Sequence, residues 1–245
     1  MKQGFYQIRE NEKIARDIFR MVVEGDTSGI TAPGQFVNIK IDGLFLRRPL
    51  SVCDWDPERI TLIYKVVGQG TKKLRQMEKG DALHMLTGLG NGYKLDAAME
   101  RPLIIGGGVG IPPLYALARA LLQKGLIPSV VLGYNCAEDA FLIEDFRKLG
   151  ANVHTACVDG SFGVSGFVTD VLDRINPPAD YYFACGPEPM LKAVYDAVDA
   201  PGQLSFEERM GCGFGACMGC TCKAKYGYKR ICYDGPVLMK EEIIW

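Results

Sequence analysis

The run Cys212–Cys232, CGFGACMGCTCKAKYGYKRIC, constrains this chain more than any other stretch. Four of its cysteines are spaced Cys212-x4-Cys217-x2-Cys220-x11-Cys232. The first three match the plant-type spacing for a [2Fe–2S] cluster, with a fourth ligand further on. Gly211, Gly213, Gly215 and Gly219 thread between them. A loop wrapping a cluster must bring its backbone close to inorganic sulfide, and glycine permits both the approach and unusual φ values. Its N–H groups can then point at the anionic centre. Cys222 follows Cys220 by two residues, so one loop would have to aim both at the same iron; it is read as a spare. Four thiolates also suit structural zinc, but zinc ribbons usually carry two C-x2-C pairs, and here only Cys217/Cys220 forms one. A Rieske centre is excluded because His84 and His154 lie far outside the loop. Nine cysteines is an odd number and nothing suggests secretion, so disulfides are not expected. A cluster exchanges single electrons, and the rest of the chain should supply a donor or an acceptor.

Length and charge bound the remainder. The 245 residues are enough for one large or two moderate domains with proper cores. A net charge of −1 advertises no attraction to nucleic acid or membrane. The N-terminus, MKQGFYQIRENEKIARD, has no apolar signal-peptide core. The most apolar stretch, Pro102–Leu122, is interrupted by glycines and prolines and carries Arg119, which argues against a membrane span. The expectation is a soluble cytoplasmic protein with reduced thiols.

Residues 1–99 read as β-rich. Phe5–Ile8, Ile18–Val23, Phe36–Ile41, Ile60–Val67 and Ala82–Leu86 are short runs of β-formers separated by turn signals such as Ala32-Pro33-Gly34 and Lys79-Gly80-Asp81. That spacing predicts a small barrel or sandwich. Within it lies Arg47-Arg48-Pro49-Leu50-Ser51. A guanidinium can clamp a pyrophosphate bidentately, and a hydroxyl can hydrogen-bond a ring nitrogen; the bland alternative is a solvated arginine pair at a strand end. Further on, Ile63-Tyr64-Lys65-Val66-Val67 runs into Gly68-Gln69-Gly70-Thr71 and a helix-like segment, Lys72–Met77, a phosphate cradle on a helix N-terminus. Gly88-Leu89-Gly90-Asn91-Gly92-Tyr93 is a third glycine-rich turn.

Together these three motifs resemble the ferredoxin–NADP reductase superfamily, in which an R-x-[YFL]-[ST] strand and a later G-x-[GS]-[ST] turn bind FAD on a β-barrel. The resemblance implies that Arg48 holds the FAD pyrophosphate and that Ser51, beyond Pro49 and Leu50, lies near flavin N5. It implies that Ile63, Tyr64 and Lys65 line the isoalloxazine and ribityl region, and that Gly70 and Thr71 take the phosphates.

After a linker at Asp96–Pro102 the pattern changes to alternating strands and helices. Strands are expected at Leu103–Gly106, Ser129–Tyr134, Asn152–Ala156 and Tyr181–Cys185. Helices are expected at Ile111–Lys124, Phe141–Leu149, Thr169–Ile175 and Glu188–Val198. Pro112 and Pro113 are acceptable in the first turn of a helix, and Gly125 and Gly150 are stops. This predicts a doubly wound parallel sheet. Gly106-Gly107-Gly108-Val109-Gly110-Ile111-Pro112-Pro113 is not G-x-G-x-x-G, but it is similar to the superfamily's version of the nucleotide loop. Cys185-Gly186-Pro187-Glu188-Pro189-Met190 resembles the superfamily's C-G-P-x-x-M, which lies beside the nicotinamide. Gly107, Gly108 and Gly110, with Cys185, Gly186 and Pro187, are therefore the expected NAD site. Cys53, Cys136 and Cys157 are read as small apolar fillers. The loop Gly133–Asp139 should meet the adenosine ribose; it has no basic residue and two acids, which favours NAD(H) over its 2′-phosphate.

The expected layout is an FAD-binding barrel over 1–99, an NAD-binding α/β domain over 100–203 and a small iron–sulfur domain over 204–245. The segment Ser205–Cys217, with Cys232-x-Asp234-Gly235-Pro236-Val237 after it, resembles the electron-transfer subunits of the two-subunit, NAD-dependent dihydroorotate dehydrogenases. Gly211, where that family favours alanine, and Cys222 depart from its pattern. The resemblance implies an oxidoreductase subunit of pyrimidine biosynthesis, with Cys212, Cys217, Cys220 and Cys232 as cluster ligands. Electrons would pass from a separate FMN-bearing catalytic subunit through the cluster and FAD to NAD+, in a heterotetramer of two of each chain. No general base for dihydroorotate is found in this chain. Related subunits of sulfite reductases, hydrogenases and transhydrogenases share the layout, and a zinc-stapled NAD-binding regulator is the reading from outside redox chemistry.

Overall fold

The computed structural model describes residues 1–245. Six strands, β1 (Lys2–Ala15), β2 (Ile18–Glu24), β3 (Phe36–Ile39), β4 (Arg48–Trp55), β5 (Arg59–Lys65) and β6 (Ala82–Leu89), close into a barrel in the order β1-β2-β5-β4-β3-β6. All their pairings are antiparallel. Alternating side chains fill the interior: Ile8, Met21, Val23, Val37, Ile39, Leu62, Tyr64 and Met85 form one core. A short helix, α1 (Gln69–Leu74), follows β5. β4 is the strand missing from the five apolar runs, because Arg48, Pro49, Ser51 and Asp54 interrupt its hydrophobic pattern.

The second half is a seven-stranded sheet. Strands β7 (Pro102–Gly107), β8 (Ser129–Tyr134), β9 (Asn152–Cys157), β10 (Val164–Ser165), β11 (Tyr181–Cys185), β12 (Gly202–Ser205) and β15 (Val237–Met239) lie in the order β10-β9-β8-β7-β11-β12-β15. All neighbours are parallel except β12 and β15. Helices α2 (Pro112–Gln123), α3 (Ile143–Leu149), α4 (Val168–Ile175) and α5 (Glu188–Ala197) cover it. One face packs on α2 and α3, the other on α4 and α5. A hairpin of β13 (Thr221–Ala224) and β14 (Gly227–Arg230) completes the chain's strands. No helix is long and apolar enough to cross a membrane.

The sheet crosses the expected boundary at 203/204. That boundary falls inside β12, and β15, from the C-terminal segment, returns to pair antiparallel with β12. The cluster segment is thus an excursion from the sheet's edge. Sequence periodicity could not show this, since β12 and β15 are only four and three residues long.

The halves are joined by shared core. Ile18, Cys53 and Ile63 of the barrel pack with Ile104, Ile111 and Leu114. The Arg119 guanidinium on α2 meets Asp54 at 2.6 Å and donates to the Trp55 carbonyl at 3.1 Å. Gln203, fully buried, accepts from Lys94 N at 2.9 Å and donates to Lys94 O at 2.8 Å, fixing the segment just ahead of the linker to β12.

Candidate functional site

Arg48 opens β4, with Pro49, Leu50 and Ser51 following it; all four are partly exposed. The Arg48 side chain lies directly over Gly70: a Cβ there would collide with Nε and come within 3.0 Å of Cδ. The arginine and the glycine-rich turn, more than twenty residues apart in sequence, therefore form one surface. Arg48 Nη1 also donates to the Leu46 carbonyl, which fixes the guanidinium's approach. At the start of α1 the Thr71 hydroxyl accepts from Val67 N at 2.9 Å and Gly68 N at 3.1 Å, and donates to the Gly68 carbonyl at 3.1 Å. The hydroxyl is thus consumed in shaping the turn. What Gly70 and Thr71 can offer an anion is main-chain N–H, since the first N–H groups of a helix have no partner inside it.

Ile63 and Tyr64 sit on opposite faces of β5. Ile63 faces the nucleotide half, whereas the Tyr64 ring points into the barrel, stacked on Phe19 at 5.8 Å. Burial pushes the Tyr64 phenol up to about 12, and its hydroxyl donates to Asn11 Oδ1 at 3.0 Å. Asn11 in turn donates to the Leu74 and Met77 carbonyls at 2.9 and 2.8 Å. The Tyr64 side chain therefore does not line the outer wall; it braces α1 through Asn11. Strand alternation, which puts Tyr64 inward, was already readable in the sequence.

The two nucleotide motifs touch. A Cβ on Gly110 would collide with the Cys185 carbonyl oxygen and stand 2.6 Å from Gly186 Cα; a Cβ on Gly107 would collide with Met190 Sδ. Gly108 has φ +52°, in the left-handed region. Cys185 is partly exposed, and burial raises its thiol to about 12, so it is a neutral thiol at ordinary pH. Beneath it the buried Tyr93 donates to the Ala184 carbonyl at 3.1 Å and meets the Phe183 ring edge-on at 5.6 Å. Pro187 is exposed.

The loop after β8 differs from its sequence reading. Arg16, from the β1–β2 turn, forms a fork with Asp139, both contacts 3.0 Å, and its Nη2 lies 3.0 Å from Cys136 Sγ. Arg16 N also donates to the Glu138 carbonyl at 2.8 Å. Cys136 is thus a polar contact at a domain seam; the buried Cys157 also donates, to Asp159 Oδ1 at 3.0 Å, whereas Cys53 sits in the apolar core. The loop lacks basic residues of its own, but the barrel supplies one, and Asp139 occupies it.

At the cluster loop, five N–H groups donate to cysteine sulfur: Cys212 and Gly219 to Cys217, Cys217 to Cys212, Gly215 to Cys232 and Cys232 to Cys220, at 3.1–3.4 Å. None goes to Cys222, which instead lines a cavity of about 280 Å³ with Glu208, Ile231 and Trp245. Gly213 and Gly215 have φ +81° and +89°, and Cβ atoms there would strike Asn38 and Tyr233. Burial works against ionising Cys212, but the N–H groups of Phe214, Cys217 and Ala216 bring its thiol down to about 6. Burial, then the neighbouring Cys220, push Cys232 up to about 12. Soft donors under N–H groups, with mutual repulsion that a bound cation would relieve, fit an iron–sulfur cluster.

The loop is seated on the barrel. Asn91 Nδ2 donates to the Asp234 and Val237 carbonyls at 3.0 and 2.8 Å, Asn91 N donates to Gly235 O at 2.7 Å, and Gly90 leaves room for Pro236. The third glycine-rich turn is thus the platform for the C-terminal segment. Asn38, a lone polar residue in the apolar strand Phe-Val-Asn-Ile, donates to the Cys212 carbonyl at 3.2 Å. Phe214, Met218 and Tyr233 of this segment are exposed.

Comparison with known proteins agrees with this geometry. Residues 207–244 match the family model for the iron–sulfur cluster binding domain of dihydroorotate dehydrogenase B. A solved NADH-dependent reduced ferredoxin-NADP oxidoreductase, studied for flavin-based electron bifurcation, superposes with a TM-score of 0.90 at 30% identity, over 99% of this chain and 90% of that one. An Amycolatopsis cytochrome P450 reductase, at 22% identity, shares the fold with a TM-score of 0.70, over 80% of this chain and 65% of that one. The electron transfer subunits of dihydroorotate dehydrogenase B (NAD(+)) from Fusobacterium nucleatum and Shouchella clausii are each 41% identical, covering 96% and 99% of this chain and 96% and 98% of their own lengths. Identity of that degree runs through barrel, sheet and cluster loop together, and the chain belongs to the family of dihydroorotate dehydrogenase B (NAD(+)) electron transfer subunits.

Proposed function

We propose that this chain carries electrons from the FMN of a separate dihydroorotate dehydrogenase catalytic subunit to NAD+, with a [2Fe–2S] cluster and FAD as resident cofactors. The observation that carries the reading is the Asn38–Cys212 contact, which joins the first cluster cysteine to the barrel wall beside the Arg48–Ser51 strand. When bound, the cluster supplies single-electron exchange, FAD links one- to two-electron chemistry, and NAD+ takes a hydride.

The residues divide the work. Residues 1–99 hold FAD: Arg48 clamps the pyrophosphate, Gly70 and Thr71 present N–H groups to phosphate, and Pro49, Leu50, Ser51, Ile63, Lys65 and the Tyr64 main chain bound the flavin. Residues 100–203 hold NAD(H): Gly107, Gly108 and Gly110 admit the pyrophosphate, and Cys185, Gly186 and Pro187 border the nicotinamide. Residues 204–245 hold the cluster through Cys212, Cys217, Cys220 and Cys232. The neutral Cys185 thiol can donate a hydrogen bond toward the nicotinamide without adding charge. The exposed Phe214, Met218 and Tyr233 suit a partner face through which electrons enter, in a heterotetramer of two chains of each kind.

A second reading, a reductase subunit for another redox partner, draws on the 30% identity to the ferredoxin-NADP oxidoreductase. Orotate formation separates the two. The chain alone should reduce artificial acceptors with NADH and leave dihydroorotate untouched; mixed with an FMN-bearing dihydroorotate dehydrogenase subunit, it should make orotate formation NAD+-dependent. Absence of an NAD+-linked rate in the mixture, with FAD and cluster fully loaded, would favour the second reading. NAD+-coupled turnover by the isolated chain would overturn both.

A further inference from the structure

Arg230 ties the two ends of the cluster segment together. It closes β14, two residues before Cys232. Its carbonyl accepts from Asp234 N at 2.7 Å, Tyr233 N at 2.9 Å and Gly235 N at 3.3 Å. Its guanidinium forks onto Asp234, Nε to Oδ2 at 2.9 Å and Nη2 to Oδ1 at 3.2 Å, and lies over the Tyr233 ring at 4.4 Å. Nη1 reaches across to the Gly215 carbonyl at 3.1 Å. Gly215 is the residue that this arrangement fixes. Its φ is +89°, and a Cβ there would come within 2.9 Å of the Tyr233 side chain. Its N–H donates to Cys232 Sγ at 3.1 Å, the shortest of the N–H contacts to sulfur in the loop. The Arg230 and Asp234 side chains are 28% and 30% exposed, so water screens the pair only in part. Asp234, then Tyr233 and Cys232, hold the guanidinium protonated beyond its ordinary range, so Cys232 lies within its field. Potentials of iron–sulfur centres follow net charge and hydrogen bonds to sulfur, and Arg230 bears on both.

We propose that Arg230 is a positioning residue that sets the reduction potential of the cluster site: its guanidinium holds Gly215 so that the N–H meets Cys232 Sγ, and its ion pair with Asp234 balances the charge beside that sulfur. This rests on the reading of Cys232 as a cluster ligand. Reduction adds one negative charge, so a cation beside Cys232 favours the reduced state and a carboxylate opposes it. The two partners of one ion pair therefore act with opposite signs, which loss of packing alone would not produce.

The test is a redox titration of the intact, FAD-loaded chain, read by the electron paramagnetic resonance signal of the reduced cluster, with iron and sulfide content checked first. Arg230→Gln removes the cation and the bond to Gly215 and leaves Asp234 unpaired. Asp234→Asn keeps the shape and leaves Arg230 unpaired. At a fixed applied potential, Arg230→Gln should lower the ratio of reduced to oxidised cluster by about tenfold, ~59 mV for a one-electron couple, and shift the spectrum. Asp234→Asn should raise that ratio. Arg230→Lys, which keeps the charge without the fork, should recover the ratio in part and keep the altered spectrum. Lys229→Gln removes a positive charge from the same strand, where it is paired with Glu242, and should leave ratio and spectrum at parental values. Parental ratios in Arg230→Gln, shifts of the same sign in Arg230→Gln and Asp234→Asn, or an equal shift in Lys229→Gln would each overturn the proposal. Should Arg230→Gln not assemble a cluster, Arg230→Lys and Asp234→Asn decide, and parental ratios in both would overturn it. A parent without an iron–sulfur spectrum would sink the cluster reading itself; a parental cluster with unshifted variants sinks this proposal alone.

Discussion

Gly110→Ala should impair reaction with the nicotinamide nucleotide while leaving FAD and iron content intact. The added Cβ would stand 2.5 Å from the Cys185 carbonyl carbon and 2.6 Å from Gly186 Cα. Those atoms are backbone at the end of β11, held in register with β7 and β12, so they cannot swing aside as a flexible side chain would. Relief requires the nucleotide loop and the Cys185–Pro187 turn to part by about 0.9 Å, the shortfall from ordinary van der Waals contact. Overpacking of this kind costs about 1–3 kcal/mol, equivalent to a drop of roughly 3–10 °C in melting temperature for a chain of this size. The functional effect should be larger, because a misplacement of about 1 Å at a reacting centre can cost on the order of a hundredfold in rate. Stopped-flow bleaching of the flavin by NADH measures it, with FAD and iron content checked first. Gly4→Ala, whose Cβ would meet only the Tyr6 ring at 3.7 Å, is the neutral control. Parental kcat/KM for NADH in Gly110→Ala would refute the claim that the two motifs form one pocket.

Other outcomes follow from the same contacts. Cys222→Ser should keep iron and sulfide, whereas serine at Cys212, Cys217, Cys220 or Cys232 should lose them; loss in Cys222→Ser with retention in Cys220→Ser would reverse the assignment. Arg48→Ala should weaken FAD retention by roughly 1.5–3 kcal/mol, the range for a hydrogen bond to a charged group; equal retention by parent and variant would make Arg48 a surface residue. NADH should reduce the flavin more efficiently than NADPH, because Asp139 neutralises Arg16 at the ribose loop; equal efficiencies would place the ribose elsewhere. Burial, then Arg47 and Lys40, hold His84 below its ordinary 6.5, so the unfolded chain takes up the proton first. The stability His84 contributes is whole above about pH 6.5 and lost as pH falls through its folded-state value. His84→Gln should flatten unfolding midpoints across that window, and an unchanged slope would show that another group is responsible.

Local chemistry was legible in the sequence; what each group touches was not. The cysteine spacing, the glycine loops and the strand–helix alternation specify cluster, phosphate and sheet because they are patterns of neighbouring residues, where periodicity and turn chemistry act. Ser129–Tyr134 and Tyr181–Cys185 came out at the same residues in sequence and structure for that reason. Arg48 over Gly70, Arg16 on Asp139, Asn91 under Pro236 and Asn38 against Cys212 are contacts across 22 to 174 positions. No local propensity encodes them; they arise when barrel closure and the excursion from the sheet edge bring distant polar groups together at seams where each buried donor needs an acceptor. Tyr64 and Thr71 show the same division. Their residue types suggested ligand contacts, but burial inside the barrel directed one to Asn11, and the backbone of its own turn took up the hydroxyl of the other.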